Sequence, residues 1–187
     1  MTRVLIAGVL GGIAMFVWTS VAHMFTPLGQ IGMLSIPNED SVLVPMQAAM
    51  GDKAGMYFFP GVDVNDPNGM TAYEEKAKTA PWGIMIYHPP GADAGMSPTQ
   101  LVAEFAKELV QTLIAAFLLS LTVIATYLMR VTFVTLISIS AALSTNVSYL
   151  IWYKFPLDYT LGYMSIEVIS GIVAGLVIAA VLKPKAA

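Results

Sequence analysis

The chain has 187 residues, 57% of them hydrophobic and only 11% charged, with a formal net charge of −3. A soluble domain carries roughly 25% charged residues, so this balance points to an integral membrane protein. Without a cysteine the chain has no disulfide, thiolate catalyst, iron–sulfur cluster or Cys-type zinc site, and no basic patch interleaved with aromatics argues for nucleic acid.

A helix needs about 20 apolar residues to cross the hydrocarbon core. The first such run covers residues 4–24. Ser20 and Ala22 also fit a signal-peptide cleavage pattern, but the apolar run is long for one, and a retained span is the expectation. Residues 25–97 then form a polar, acid-rich segment with Glu39, Asp40, Asp52, Asp63, Asp66, Glu74, Glu75 and Asp93. Within it Asn38 and Gly51 predict the start and stop of a short helix over 39–50, bent by Pro45. "GMYFFPG" and "WGIMIYHPP" predict two strands that can pair. Thr71 and Glu74 predict a capping box for a helix reaching about Lys78.

Ser97, Pro98 and Gln100 predict a capped helix start in water, with Met96 and Leu101 as a hydrophobic staple. This helix is expected over 98–129, apolar from about residue 109. Spans over 131–153 and 160–182 follow, so that Arg130 alone joins the second to the third. The predicted fold is thus an all-α membrane protein of four transmembrane helices. A small α+β extracytoplasmic lobe (25–97) sits between the first (1–24) and the second, and the remaining three helices fill 98–187.

Arg3, Arg130, Lys183 and Lys185 fall on one side of this arrangement. By the positive-inside rule both termini are cytoplasmic and the protein resides in a cell membrane of the bacterial inner-membrane type. The layout is shared with unrelated four-span families such as claudin-like proteins, but a chain lacking cysteine cannot carry the claudin Trp and paired-Cys motif.

Polar residues inside spans are the candidate site. Gln100, Glu104, Lys107, Glu108 and Gln111 share one stripe of a helix. Asn146 and Glu167 each lie about two turns below the outer ends of their spans, and His23 lies at the outer end of the first. At 1.5 Å per residue these groups can share one layer in the outer leaflet. Glu104, Glu108, Gln111, Asn146 and Glu167 form this predicted cluster, which reads either as polar glue between helices or as a functional site. Glu104 and Lys107 can pair at i,i+3. His23 and His88, with nearby methionines, are the candidate ligands for a soft metal or haem on the outer face; no cofactor is required by the sequence. Gly8-x-x-x-Gly12 and Gly171-x-x-x-Gly175 are close-packing motifs, suited to joining the first span to the last or to docking another subunit. Tyr149, Trp152, Tyr153, Phe155, Tyr159 and Tyr163 form an interfacial belt.

No hydrolase, phosphate-loop or zinc-protease motif is present. The leading expectation is a non-catalytic accessory or structural subunit of a larger membrane complex, with other membrane subunits or a second copy as partners. The alternatives are a small transporter or proton/cation-handling protein using the outer-leaflet cluster, and an extracytoplasmic metal or haem binder.

Overall fold

The computed structural model describes residues 1–91 and 95–183. Two residues used above, Asp93 and Lys185, lie outside them. The fold is mostly helical, with a small two-stranded sheet. Contacts divide it into two compact units: Met1–Met33 with the described residues from Met96 onward, and the described residues of Leu34–Gly95.

The first unit is a helix bundle. Its helices are α1 (Thr2–Phe25), α4 (Pro98–Ser120), α5 (Tyr127–Ala142), α6 (Ser148–Tyr153) and α7 (Leu157–Val181). A π-helical turn, Leu143–Val147, joins α5 to α6 without a break. Among the described residues, three helical stretches are long and apolar enough to cross a membrane: Thr2–Phe25, Tyr127–Tyr153 and Leu157–Val181. The fourth long helix, α4, has its first three turns polarised by Gln100, Glu104, Lys107 and Glu108. It nevertheless runs antiparallel to α1, since Thr19 meets Glu108 near one end and Gly8 meets Leu113 further along.

The bundle is inside-out by the standards of a soluble protein. The buried stripe of α1 is Ala7, Gly8, Gly11, Gly12, Met15 and Ala22, while bulky Val9, Ile13 and Val17 on its other face are exposed. Lipid tails leave no hydrophobic drive between helices, so small residues that allow close approach face the neighbours and large ones face outward. α1 packs against α4 and α7, and α7 also packs against α5.

The glycine motifs do not meet each other. A Cβ on Gly8 would lie 2.6 Å from Leu113 of α4, and one on Gly12 would lie 2.9 Å from Thr112 of the same helix. Gly171 instead abuts Ser138 of α5 and Gly175 lies against Val131. The α1–α7 approach falls to Gly11, whose Cβ would meet Ile178 at 2.7 Å.

The second and third long helices differ from expectation. Instead of continuing to 129, α4 ends at Ser120, and Leu121–Thr126 is not helical. The β-branched run Thr122, Val123, Ile124 disfavours helix, and Thr126 restarts it by accepting the Met129 N–H. Arg130 is therefore not a joint. It sits in α5, buried against the end of α7.

The second unit holds α2 (Asp40–Met50), β1 (Gly55–Phe59), α3 (Gly69–Ala77) and β2 (Gly83–Tyr87). The strands pair antiparallel with Tyr57 opposite Met85, and the Tyr87 hydroxyl donates to the Gly51 carbonyl at 2.8 Å. Gly51, with φ of 61°, ends α2. Asn38 does not cap that helix through its side chain; it adopts φ of 52°, and its carbonyl accepts from Ser41 instead. The Thr71–Glu74 capping box is also absent. The turn at Asp66–Asn68 starts α3 at Gly69, which places Thr71 already inside the helix.

Candidate functional site

α4 begins as its sequence dictates. The Ser97 hydroxyl accepts the Gln100 N–H at 3.2 Å, and the Gln100 side chain accepts the Ser97 N–H at 2.8 Å. This box fixes the phase of the helix. One turn later Lys107 bridges Glu104 at 2.8 Å, both half-exposed. Glu108, one residue on, turns inward and is 0% exposed.

Glu108 points at α1. Thr19 donates its hydroxyl to Glu108 Oε1, which also lies 3.7 Å from the Lys107 ammonium. The other oxygen, Oε2, is buried with no hydrogen-bond partner. A buried carboxyl with an unanswered oxygen is expensive. Beside it is a cavity of about 70 Å³, lined by Glu104, Lys107, Glu108, Gln111, Thr19, Met15 and His23, and by Ser138, Ala141, Tyr163, Ile166, Glu167 and Ser170 across the bundle. One water needs roughly 10–15 Å³ of such space, so the cavity suits a few waters and no large organic molecule.

The far wall is built by α5 and α7. Asn146 lies in the π-helical turn, a distortion that re-aims side chains and often sits at functional positions. Its amide donates to Glu167 Oε2 at 2.8 Å and to the Ala142 carbonyl at 3.1 Å. Glu167 is thus held toward the cavity from behind. Trp18 donates to the Ile166 carbonyl at 3.2 Å, tying α1 to α7 at the same level.

Four of the predicted cluster residues, Glu104, Glu108, Gln111 and Glu167, therefore line one cavity, and Asn146 supports it from the second layer. Thr19, Ser138, Tyr163 and Ser170 also line the wall; Tyr163 is expected from sequence only as part of the interfacial belt, and Thr19 and Ser170 are not expected there. A signal for two of them exists: Thr19 is one helical turn from His23, and Tyr163 is one turn from Glu167, so each shares a face with its neighbour. Three carboxyl groups face a single ammonium here.

Aromatic rings roof this end. Tyr149, Phe155, Tyr159 and Tyr163 follow one another at centroid distances of 5.3–5.7 Å, and His23 lies 5.9 Å from Tyr163. His23 is exposed beside Met24, Met96 and Glu104 in an adjoining groove. His88 belongs to the second unit, where it lines a groove with Met46 and Met85. Among the described residues no three His, Cys, Asp or Glu side chains converge as a metal-holding group.

Below the cavity the bundle closes on an apolar core of Met15, Ala115, Leu119, Val134, Ala174 and Ile178. No protein-family model, curated protein or solved structure matches this chain.

Proposed function

We propose that this chain is a four-span membrane protein that handles a proton or a small monovalent cation in the cavity between Glu108 and Glu167. The observation that carries this reading is fully buried Glu108, whose Oε2 has no hydrogen-bond partner, in the wall of a small polar cavity. Ionisable residues inside a bundle that face its interior or a cavity mark ion or proton sites. Three carboxyls against one lysine leave an excess of negative charge that a proton or cation offsets. The carboxyls do not converge as a dehydrated multivalent-metal cage would require. A hydrated monovalent ion or a proton carried through water fits the wall of hydroxyls, amides and carboxyls. Counting α4 as a span is supported by its antiparallel run along α1, and the positive-inside rule then sets the cavity in the outer leaflet.

The test is flux in proteoliposomes with an imposed membrane potential and an internal pH dye, repeated with sodium and potassium gradients. Wild type is expected to conduct one of these ions, and Glu108→Gln and Glu167→Gln to reduce the flux at least about tenfold, the scale of losing a positioned proton-transfer group. Absent flux in wild type, or flux indifferent to both substitutions, overturns the reading.

A second reading is an accessory subunit of a larger assembly, favoured by the second unit. Its α2 buries none of its residues, and Leu34, Val44, Met56, Phe58, Val64 and Ile86 are all exposed. Apolar surface of this extent on a small unit is suited to a protein partner. Purified in mild detergent, the protein is then expected to run well above its 20.0 kDa chain mass with co-purifying protein. A clean monomer argues against it.

A further inference from the structure

At the end of the bundle away from the carboxyl cavity, the helices open onto a second pocket of about 330 Å³. Arg3 of α1, Arg130 of α5 and Lys183 beyond α7 line it, and among the described residues no carboxylate does. Ser120 and Thr122 add hydroxyls, while Val4, Leu119, Ile124 and Leu182 form apolar walls.

Arg130 is the unusual member. It is only 7% exposed. Its Nη1 donates to the Ala125 carbonyl at 2.7 Å and its Nη2 to the Ala179 carbonyl at 3.1 Å. Its Nε is buried without a partner. A guanidinium carries five N–H donors, so two neutral carbonyls leave most of them unanswered. No ion pair with any Asp or Glu forms here among the described residues. A buried cation without a counter-charge is costly to maintain unless an anion completes the site. Held by the two carbonyls, the group is pre-oriented, and a planar guanidinium matches the oxygens of a phosphate. Arg3 and Lys183, both exposed, add mobile positive charge at the mouth. Basic pockets between membrane helices on the cytoplasmic side bind anionic headgroups in this way.

We infer that this pocket binds a phosphate group, with Arg130 as its buried anchor and Arg3 and Lys183 as outer clamps. The phosphate belongs to an anionic lipid headgroup or is free in solution, and the two sources are separable. The full chain is purified in an uncharged detergent. Native mass spectrometry and thermal unfolding are then measured with dioleoyl-phosphatidylglycerol, dioleoyl-phosphatidylcholine or inorganic phosphate.

Retention of phosphatidylglycerol over phosphatidylcholine supports a lipid site. Protection by inorganic phosphate that also displaces phosphatidylglycerol supports a site for the free anion. The double variant Arg3→Gln/Lys183→Gln alters only exposed side chains, so it tests the pocket even if Arg130→Gln fails to fold. It is expected to weaken binding about fivefold for each charge removed. Equal retention of the two lipids with no effect of phosphate, or unchanged binding by the double variant, overturns the inference.

Discussion

At the residue scale, Glu108 and Arg130 are the two buried charged side chains among the described residues, and each retains an unpartnered atom. They behave differently under substitution. Glu108→Gln keeps an oxygen for Thr19 and removes a poorly compensated charge. Its melting temperature in detergent is therefore expected to equal or exceed that of wild type, while any flux of the proposed ion is lost. A large loss of stability on this substitution would mean that the carboxylate holds the fold and does not serve an ion. Arg130→Met strands the buried Ala179 carbonyl at the end of α7 and removes a bond to the exposed Ala125 carbonyl. A buried group left unpaired costs about 1–3 kcal/mol, so thermal unfolding of this variant is expected to fall below wild type. The burial of Glu108 is partly legible in the sequence, because a stripe of polar residues running into an apolar helix demands an interior destination. Arg130 was misread as a joint. Nothing local distinguishes a cytoplasmic turn from a helix start until the Thr126 cap is recognised.

At the element scale, the bundle depends on helix pairs that approach closely through glycine. Gly171 faces the Ser138 side chain so directly that a methyl group has no room. Gly171→Ala is expected to lower stability by about 1–3 kcal/mol through overpacking, and Ser138→Gly on top of it to restore part of that loss. A double-mutant cycle of unfolding in detergent measures the coupling, and strictly additive effects would show that the two helices do not meet there. Ser97→Ala removes the capping box of α4 and is expected to cost about 0.5–2 kcal/mol. The sequence shows that small-residue faces exist, because spacing alone reveals them. It does not show which helix each face meets, since Gly8 and Gly12 fit α4 or α7 equally well on paper. The choice is made by side-chain size across the interface. Gly12 leaves room for Thr112, whose hydroxyl reaches the Gly8 carbonyl at 2.9 Å.

At the scale of the whole molecule, the question is how many times the chain crosses the bilayer. Among the described residues three helical stretches pass on length and apolarity, whereas α4 carries charge in its first turns. The chain's lack of cysteine makes this directly measurable. Asp63→Cys is expected to react with a membrane-impermeant maleimide in intact cells, and Thr122→Cys only after the membrane is opened. Labelling of both from the same side would remove α4 as a span and with it the outer-leaflet position of the cavity.

The membrane solvent, the long apolar helices, the capped start of α4, the strand pairing of the second unit and a shared depth for the polar groups follow from the sequence alone. Each depends on local periodicity, composition or a count of residues from a helix end. Tertiary structure alone decided that Glu108 loses one oxygen's partner, that Ser170 joins the wall, and that Arg130 turns inward to a pocket with no acid among the described residues. Those outcomes depend on the rotation of each helix about its axis. That rotation is set by how small and large side chains from several distant segments fit together, and no single stretch of sequence contains it.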